Sequence, residues 1–121
     1  MSLLFTDPEM GRFLGGLNEV QLDSVPFGIV GLSAENVVEQ YNTHESQYGG
    51  LSRESVLNRP FFTDIAPCMN NYLVAERFNE PAPLDITMPY VLTYRMRPTP
   101  VRLRLLRCLG PSRRWILIDR E

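Results

Sequence analysis

The chain has 121 residues, 44% of them hydrophobic and 21% charged, the size and chemistry of one globular domain with a core of its own. Its two cysteines and single histidine, with neither CxxC nor HxxxH spacing, argue against a disulfide framework and against a metal site. The net charge is only -2, no apolar run approaches the ~20 residues that span a bilayer, and the N-terminus lacks a signal peptide's pattern, so a cytoplasmic protein with free thiols is expected.

In chain order, Thr6-Asp7-Pro8-Glu9 combines a capping hydroxyl, a first-turn proline and a Glu three residues on, which starts a helix that Gly15-Gly16 ends. Leu17, Val20 and Leu22 suggest a second short helical turn. Residues 1–25 thus read as an N-terminal helical cap and residues 26–121 as the core of a single domain. Pro26 introduces a strand over 27–32, Ser33-Ala34-Glu35-Asn36 makes a turn, and 37–41 returns as a second strand. Residues 42–50 are polar and read as helix-poor. Ser52 caps a short helix through Val56 and Leu57, stopped by Asn58-Arg59-Pro60. After Cys68, Asn70 or Asn71 opens a longer helix with Tyr72, Leu73, Val74, Ala75 and Phe78 at helical spacing.

Three strands close the chain, over 88–96, 101–109 and 114–119. In the second, Val101, Leu103 and Leu105 alternate with Arg102 and Arg104, the period of a half-buried strand. The element order implies an α+β fold, a five-stranded antiparallel sheet with helices on one face. Every basic residue is Arg, and eight of them lie in 86–121 against Asp119 and Glu121, a net of +6. Residues 1–85 hold four Arg against twelve acids, a net of -8. A basic third could serve nucleic acid. The near-neutral total favours Arg that line the solvent side of strands or meet the acidic half of the same molecule.

Several motifs then fall in register with a known family. Pro26-Phe27-Gly28 opens the first strand, Gln40-Tyr41-Asn42 ends the second, and Glu45 follows Tyr41 by four residues. Phe61-Phe62-Thr63-Asp64-Ile65-Ala66-Pro67-Cys68 is the most specific run; Tyr94-Arg95-Met96-Arg97-Pro98-Thr99 and Arg114-Trp115-Ile116-Leu117-Ile118 follow it. From about residue 13 to the end the chain resembles the photoactive yellow protein family, PAS-fold photoreceptors. The resemblance implies 4-hydroxycinnamic acid (p-coumaric acid) as a thioester on Cys68, with Tyr41 and Glu45 hydrogen-bonding its phenolate. It also implies that the Cys68 backbone amide meets the thioester carbonyl. Tyr94 and Met96 would lie near the chromophore, Met96 assisting the return from cis to trans. Two positions depart from the family's pattern. Gly49 and Leu51 stand where better-known members carry a Thr and an Arg, with Tyr48, Ser52 and Arg53 as candidates to compensate.

The residues support that chemistry in their own terms. A thioester needs a thiol that can ionise, and Cys68 precedes a helical segment whose first amides favour negative charge. Cys108, in an alternating strand, reads as packing. Tyr41 can donate to a buried phenolate. Glu45 can do so only as the neutral acid, which burial and a neighbouring phenolate both favour. Isomerisation would pass its proton to the chromophore and leave an unpaired buried carboxylate, whose cost opens the domain. Phe62 and Pro67 would line the pocket. His44 reads as an exposed loop residue and Trp115 as core or cap packing.

Two other functions compete: a non-photoactive PAS module that binds a ligand or a protein, and an enzyme with Cys68 as nucleophile and His44 as base. No third group orients such a pair, so an enzyme is not expected. No kinase or transcription segment is legible. Output would pass to a separate signalling protein, through N-terminal helices whose Asp7, Glu9, Glu19 and Asp23 could pack against the Arg-rich sheet. Neither membrane nor nucleic acid is expected as a partner, and a homodimer is left open.

Overall fold

A computed structural model describes residues 4–81, 83–93, 97–107 and 113–120. Its centre is an antiparallel sheet of five strands: β1 (Gly28–Leu32), β2 (Val38–Tyr41), β3 (Leu84–Leu92), β4 (Thr99–Arg107) and β5 (Arg114–Asp119). They lie in the order β2-β1-β5-β4-β3. β1 and β5 are buried along nearly their whole length, as strands covered on both faces must be. They pair with Gly28 opposite Ile118 and Leu32 opposite Arg114. The β1–β2 hairpin turns where expected: Asn36 takes a positive φ of 65° and the Ser33 hydroxyl accepts from the Glu35 and Val37 amides.

Side-chain alternation divides the core into two layers. Val30, Leu32, Leu103, Leu105, Ile116 and Ile118 face one side, packed with Tyr41, Val56, Phe61, Phe62, Met69 and Phe78. Ile29, Leu106, Trp115 and Leu117 face the other, where Phe5, Met10, Leu14, Leu22 and Phe27 cover them. The N-terminal segment is therefore a cap on the sheet face opposite the other helices, and Trp115 is its floor.

The cap holds two short helices, α1 (Met10–Leu14) and α2 (Glu19–Asp23). α1 starts later than Thr6 suggests, because the Asp7 carboxylate takes the Glu9 amide and leaves a turn before the helix. α2 opens on a capping box, Asn18 and Gln21 bonding reciprocally.

Four further expectations are corrected. Residues 42–50 are not helix-poor but form α3 (Thr43–Gly49). The Asn42 side chain caps its N-terminus through the Glu45 amide, and Gly50 at φ 83° ends it. The longer helix after Cys68 is instead a turn followed by a 3-10 helix, Ala75–Asn79. Asn71 Oδ1 takes the Leu73 and Val74 amides, donors a regular helix would have used. β3 begins at Leu84 rather than 88 because all nine of its residues find partners on β4, and Pro89 is tolerated on this edge strand. β4 correspondingly starts at Thr99. Ser52 does cap α4 (Arg53–Val56), accepting from the Ser55 amide.

Among the described residues, part of the Arg-rich third meets the acidic part of the chain. Arg113 pairs with Glu39 and Arg104 with Asp85. Arg107 donates to the carbonyls of Phe78 and Glu80. Among the described residues no helix is long and apolar enough to cross a membrane.

Candidate functional site

Cys68 lies in a single 3-10 turn, Pro67–Met69, which Pro67 opens at a first-turn position that needs no amide hydrogen. Just before it Phe61–Ile65 forms one turn of π-helix. This wide turn buries Phe61 and Phe62, whose rings meet edge to face at 5.2 Å. Cys68 is a half-buried free thiol packed against the helix-side core. Its carbonyl is pinned by the Tyr90 hydroxyl at 2.5 Å and by Asn71 Nδ2 at 3.1 Å, which also reaches Tyr90 Oη at 2.7 Å. These bonds fix the turn. The Cys68 amide stands in the first turn, where helical amides lack an intrahelical partner. Sequence reasoning missed Tyr90 and gave Asn71 only as a helix cap. The β3 alternation Ile86, Met88, Tyr90 was the available signal, since all three pack on the helix-side core.

Tyr41 ends β2 opposite Val30 and is buried in the same core cluster. Burial pushes its phenol well above the ordinary value, the Glu45 carboxylate pushes the same way, and Arg120 partly offsets both. Glu45 sits in the first turn of α3 and is only 2% exposed. The geometry joins it to a residue that sequence reasoning missed: Arg120 donates to both its oxygens, at 2.6 and 2.9 Å. Arg120 continues the inward alternation of Ile116 and Ile118 just past the end of β5. That periodicity places it on the helix side. Gly28 makes room for the pair, because a Cβ there would lie 2.1 Å from Glu45 Oε1.

Asn42 is the hinge of this corner. It is buried, and all four of its amide valences are used. Oδ1 accepts from the Ile29 and Glu45 amides, and Nδ2 donates to the Leu22 and Phe27 carbonyls. One side chain thus ties β1, the cap and α3 together and sets where Glu45 projects.

His44 is corrected: it is a half-buried residue of α3, not an exposed loop residue. Its ring stacks on Tyr48 at 4.5 Å. Burial lowers its pKa, Arg120 adds to that, and Glu45 and Asp119 oppose it. The three candidates to compensate for Gly49 and Leu51 take different places. Tyr48 is exposed, Ser52 caps α4, and Arg53 bonds the Tyr41 carbonyl and pairs with Asp23 and Glu19. Tyr94, Met96 and Cys108 lie outside the described residues. Among the described residues no cluster of His, Cys, Asp or Glu could hold a metal ion. A cleft of about 260 Å³ opens beside Pro60, Phe62, Asn70 and Asn79, but Cys68, Tyr41 and Glu45 do not line it.

No protein-family model matches the chain. Individual relatives do. The chain is 30% identical over 119 residues to photoactive yellow protein from Halochromatium salexigens, covering 96% of this chain and 95% of the relative. It is 29% identical over the same coverage to photoactive yellow protein from Rhodothalassium salexigens. Among solved structures, the photoactive yellow protein domain of the sensor histidine kinase Ppr from Rhodospirillum centenum superposes with a TM-score of 0.81 at 30% identity, over 89% of this chain and 97% of that one. The PAS domain of an HTR-like protein from Haloarcula marismortui, 19% identical, gives a TM-score of 0.65 over 84% of this chain and 91% of its own, a likeness of fold. With the PAS sheet, the capped N-terminus and this end-to-end similarity together, the chain belongs to the photoactive yellow protein family.

Proposed function

We propose that this protein is a blue-light receptor that carries 4-hydroxycinnamic acid as a thioester on Cys68, with the phenol oxygen held by Tyr41 and Glu45. The observation that carries the reading is that a half-buried free thiol, Cys68, and a buried phenol donor, Tyr41, pack on one apolar cluster. Glu45 stands one turn beyond Tyr41. These residues fit the group: a thiol to acylate, an apolar wall, and polar hydrogens at the far end.

The bound group would supply light absorption and trans-cis isomerisation. The chain's residues supply the rest. Phe62 would wall the pocket near Cys68 and the Cys68 amide would be available to the thioester carbonyl, while Pro67 is exposed and sets the turn rather than the wall. Tyr41 donates to the phenol oxygen, and Glu45 exchanges a proton with it at its carboxyl group. Tyr94 and Met96 complete the pocket by resemblance. Loss of the proton from Glu45 would not leave the unpaired carboxylate that the sequence suggests, because Arg120 bonds both its oxygens; it would move the negative charge from the phenol oxygen to that pair, and the site would rearrange around the shift. That rearrangement reaches the cap through Asn42, which bonds both the Glu45 amide and the Leu22 carbonyl. The signal passes to a separate signalling protein in the cytoplasm, and the protein is a receptor rather than an enzyme.

The test is to treat purified protein with activated 4-hydroxycinnamate. The acyl mass should appear on Cys68, with a new absorption band that changes reversibly in light; Cys68→Ser should abolish both. An unmodified Cys68 without a new band would sink the reading. It would favour a second one, a non-photoactive PAS module for a ligand or a protein. Gly49 and Leu51 favour that module, since the Ser52 hydroxyl caps α4 and the Arg53 guanidinium pairs with Asp23 and Glu19.

A further inference from the structure

Glu45 and Arg120 form a buried ion pair at the core of the phenol site. Glu45 is 2% exposed and the Arg120 side chain 11%. Both Glu45 oxygens are engaged, the bidentate geometry that makes guanidinium–carboxylate pairs strong. The pair rests in a notch on β1, where a Cβ on Gly28 would meet Glu45 Oε1 at 2.1 Å and Arg120 Nη1 at 3.3 Å. Among the described residues, the Tyr41 phenol and the His44 ring are titratable groups that feel the pair. The Tyr41 phenol comes from β2 and feels both charges. The His44 ring precedes Glu45 on α3 and feels Glu45, Arg120 and Asp119. Asp119 is itself paired with Arg102. Arg53 is turned to Asp23 and Glu19. One carboxylate against one guanidinium balances the charge within the pair, and a further buried anion here without a cation of its own would be costly.

We propose that Arg120 is the counter-ion of the phenol site, balancing one negative charge that sits on Glu45 in the unloaded protein and on the oxygen of a bound 4-hydroxyphenyl group in the loaded one. On loading, the ligand's O–H bond breaks, its proton passes to a Glu45 carboxylate oxygen, and Arg120 stays protonated. The three groups sum to zero charge before and after. The identity of the ligand rests on the photoreceptor reading; the pairing in the unloaded protein does not.

Carboxyl-labelled glutamate followed by carbon NMR, with Glu45→Gln to assign the signal, tests this directly. At pH 7 the unloaded protein should show Glu45 as a carboxylate, and Arg120→Gln should convert it to the neutral acid. In the loaded protein Glu45 should read as the neutral acid while the ligand absorbs as phenolate. Arg120→Gln should then lower the ionisation constant of the ligand's phenol roughly tenfold or more, read from a pH titration of the absorption band, the effect of removing an adjacent opposite charge. Arg120→Lys should retain most of it. A protonated Glu45 in the unloaded wild type, or a phenol ionisation constant that Arg120→Gln leaves unchanged, overturns the proposal. If Arg120→Gln does not fold, the wild type decides alone: the Glu45 signal must move from carboxylate to acid on loading. A ligand that never attaches to Cys68 defeats the photoreceptor reading, while the unloaded spectra still judge Arg120.

Discussion

Arg104→Met should loosen the N-terminal cap while leaving the sheet intact. The Arg104 side chain is 5% exposed. It donates to Phe5 O at 2.9 Å and Asp7 O at 2.8 Å, and its other nitrogens grip Asp85 at 2.9 Å. Methionine keeps an apolar stem in that space. Asp85 is 49% exposed and returns to water at little cost. The loss therefore falls on the two cap carbonyls. Hydrogen bonds to a charged group contribute about 1.5–3 kcal/mol each. Phe5 is buried, while water can reach Asp7, so a net loss of about 3 kcal/mol is expected. Met10, Leu14 and Leu22 remain buried, at roughly 1.5–3 kcal/mol each, which keeps the cap docked most of the time. Three kcal/mol is about a hundredfold in the opening equilibrium. Hydrogen exchange read by mass spectrometry should show that acceleration in the cap and little change in β1 and β5. An acceleration below about tenfold, or one equal in cap and sheet, would refute the latch.

Asn42→Ala removes a side chain whose four hydrogen bonds join cap, β1 and α3. Urea unfolding should show a loss of about 3 kcal/mol, and a loss under about 1 kcal/mol would mean that water replaces those bonds. Gly28→Ala places a methyl group 2.1 Å from Glu45 Oε1. It should displace the carboxylate from Arg120 and cost about 1–3 kcal/mol; an unchanged Glu45 carboxyl NMR signal would contradict it. His44 has its pKa lowered, first by burial and then by Arg120. The folded state therefore binds fewer protons on His44 than the unfolded chain. The resulting stability is present above the ordinary histidine value of about 6.5 and is lost as pH falls through the lowered folded value. Wild type should thus lose stability more steeply than His44→Gln below about pH 6.5, and equal slopes in paired urea titrations would contradict this.

Local chemistry made the periodic and punctuated parts of the chain readable. The Ser33–Asn36 turn and the Ser52 cap each depend on neighbours within a few residues, and each formed where the pattern placed it; β4 is a strand as its alternation suggests, but Arg104 is buried under the cap instead of facing solvent. α3 was also written locally, in Asn42 and Gly50, but its polar surface hid it, because only Glu45 and Gly49 of its seven residues are buried. The helix after Cys68 failed for the opposite reason. Its apolar spacing was right, yet the Asn71 side chain competed for the amides.

The motif around Cys68 and the Tyr41–Glu45 spacing carried the family by themselves, and the end-to-end relatives agree. Tertiary structure alone decided the site's electrostatics. Arg120 lies 75 positions from Glu45 in sequence, and it reaches Glu45 because β1 and β5 lie side by side in the sheet and Gly28 leaves room beside the pair. Strand order and close approach of this kind depend on which faces bury each other across the whole chain, and no spacing within a segment encodes them.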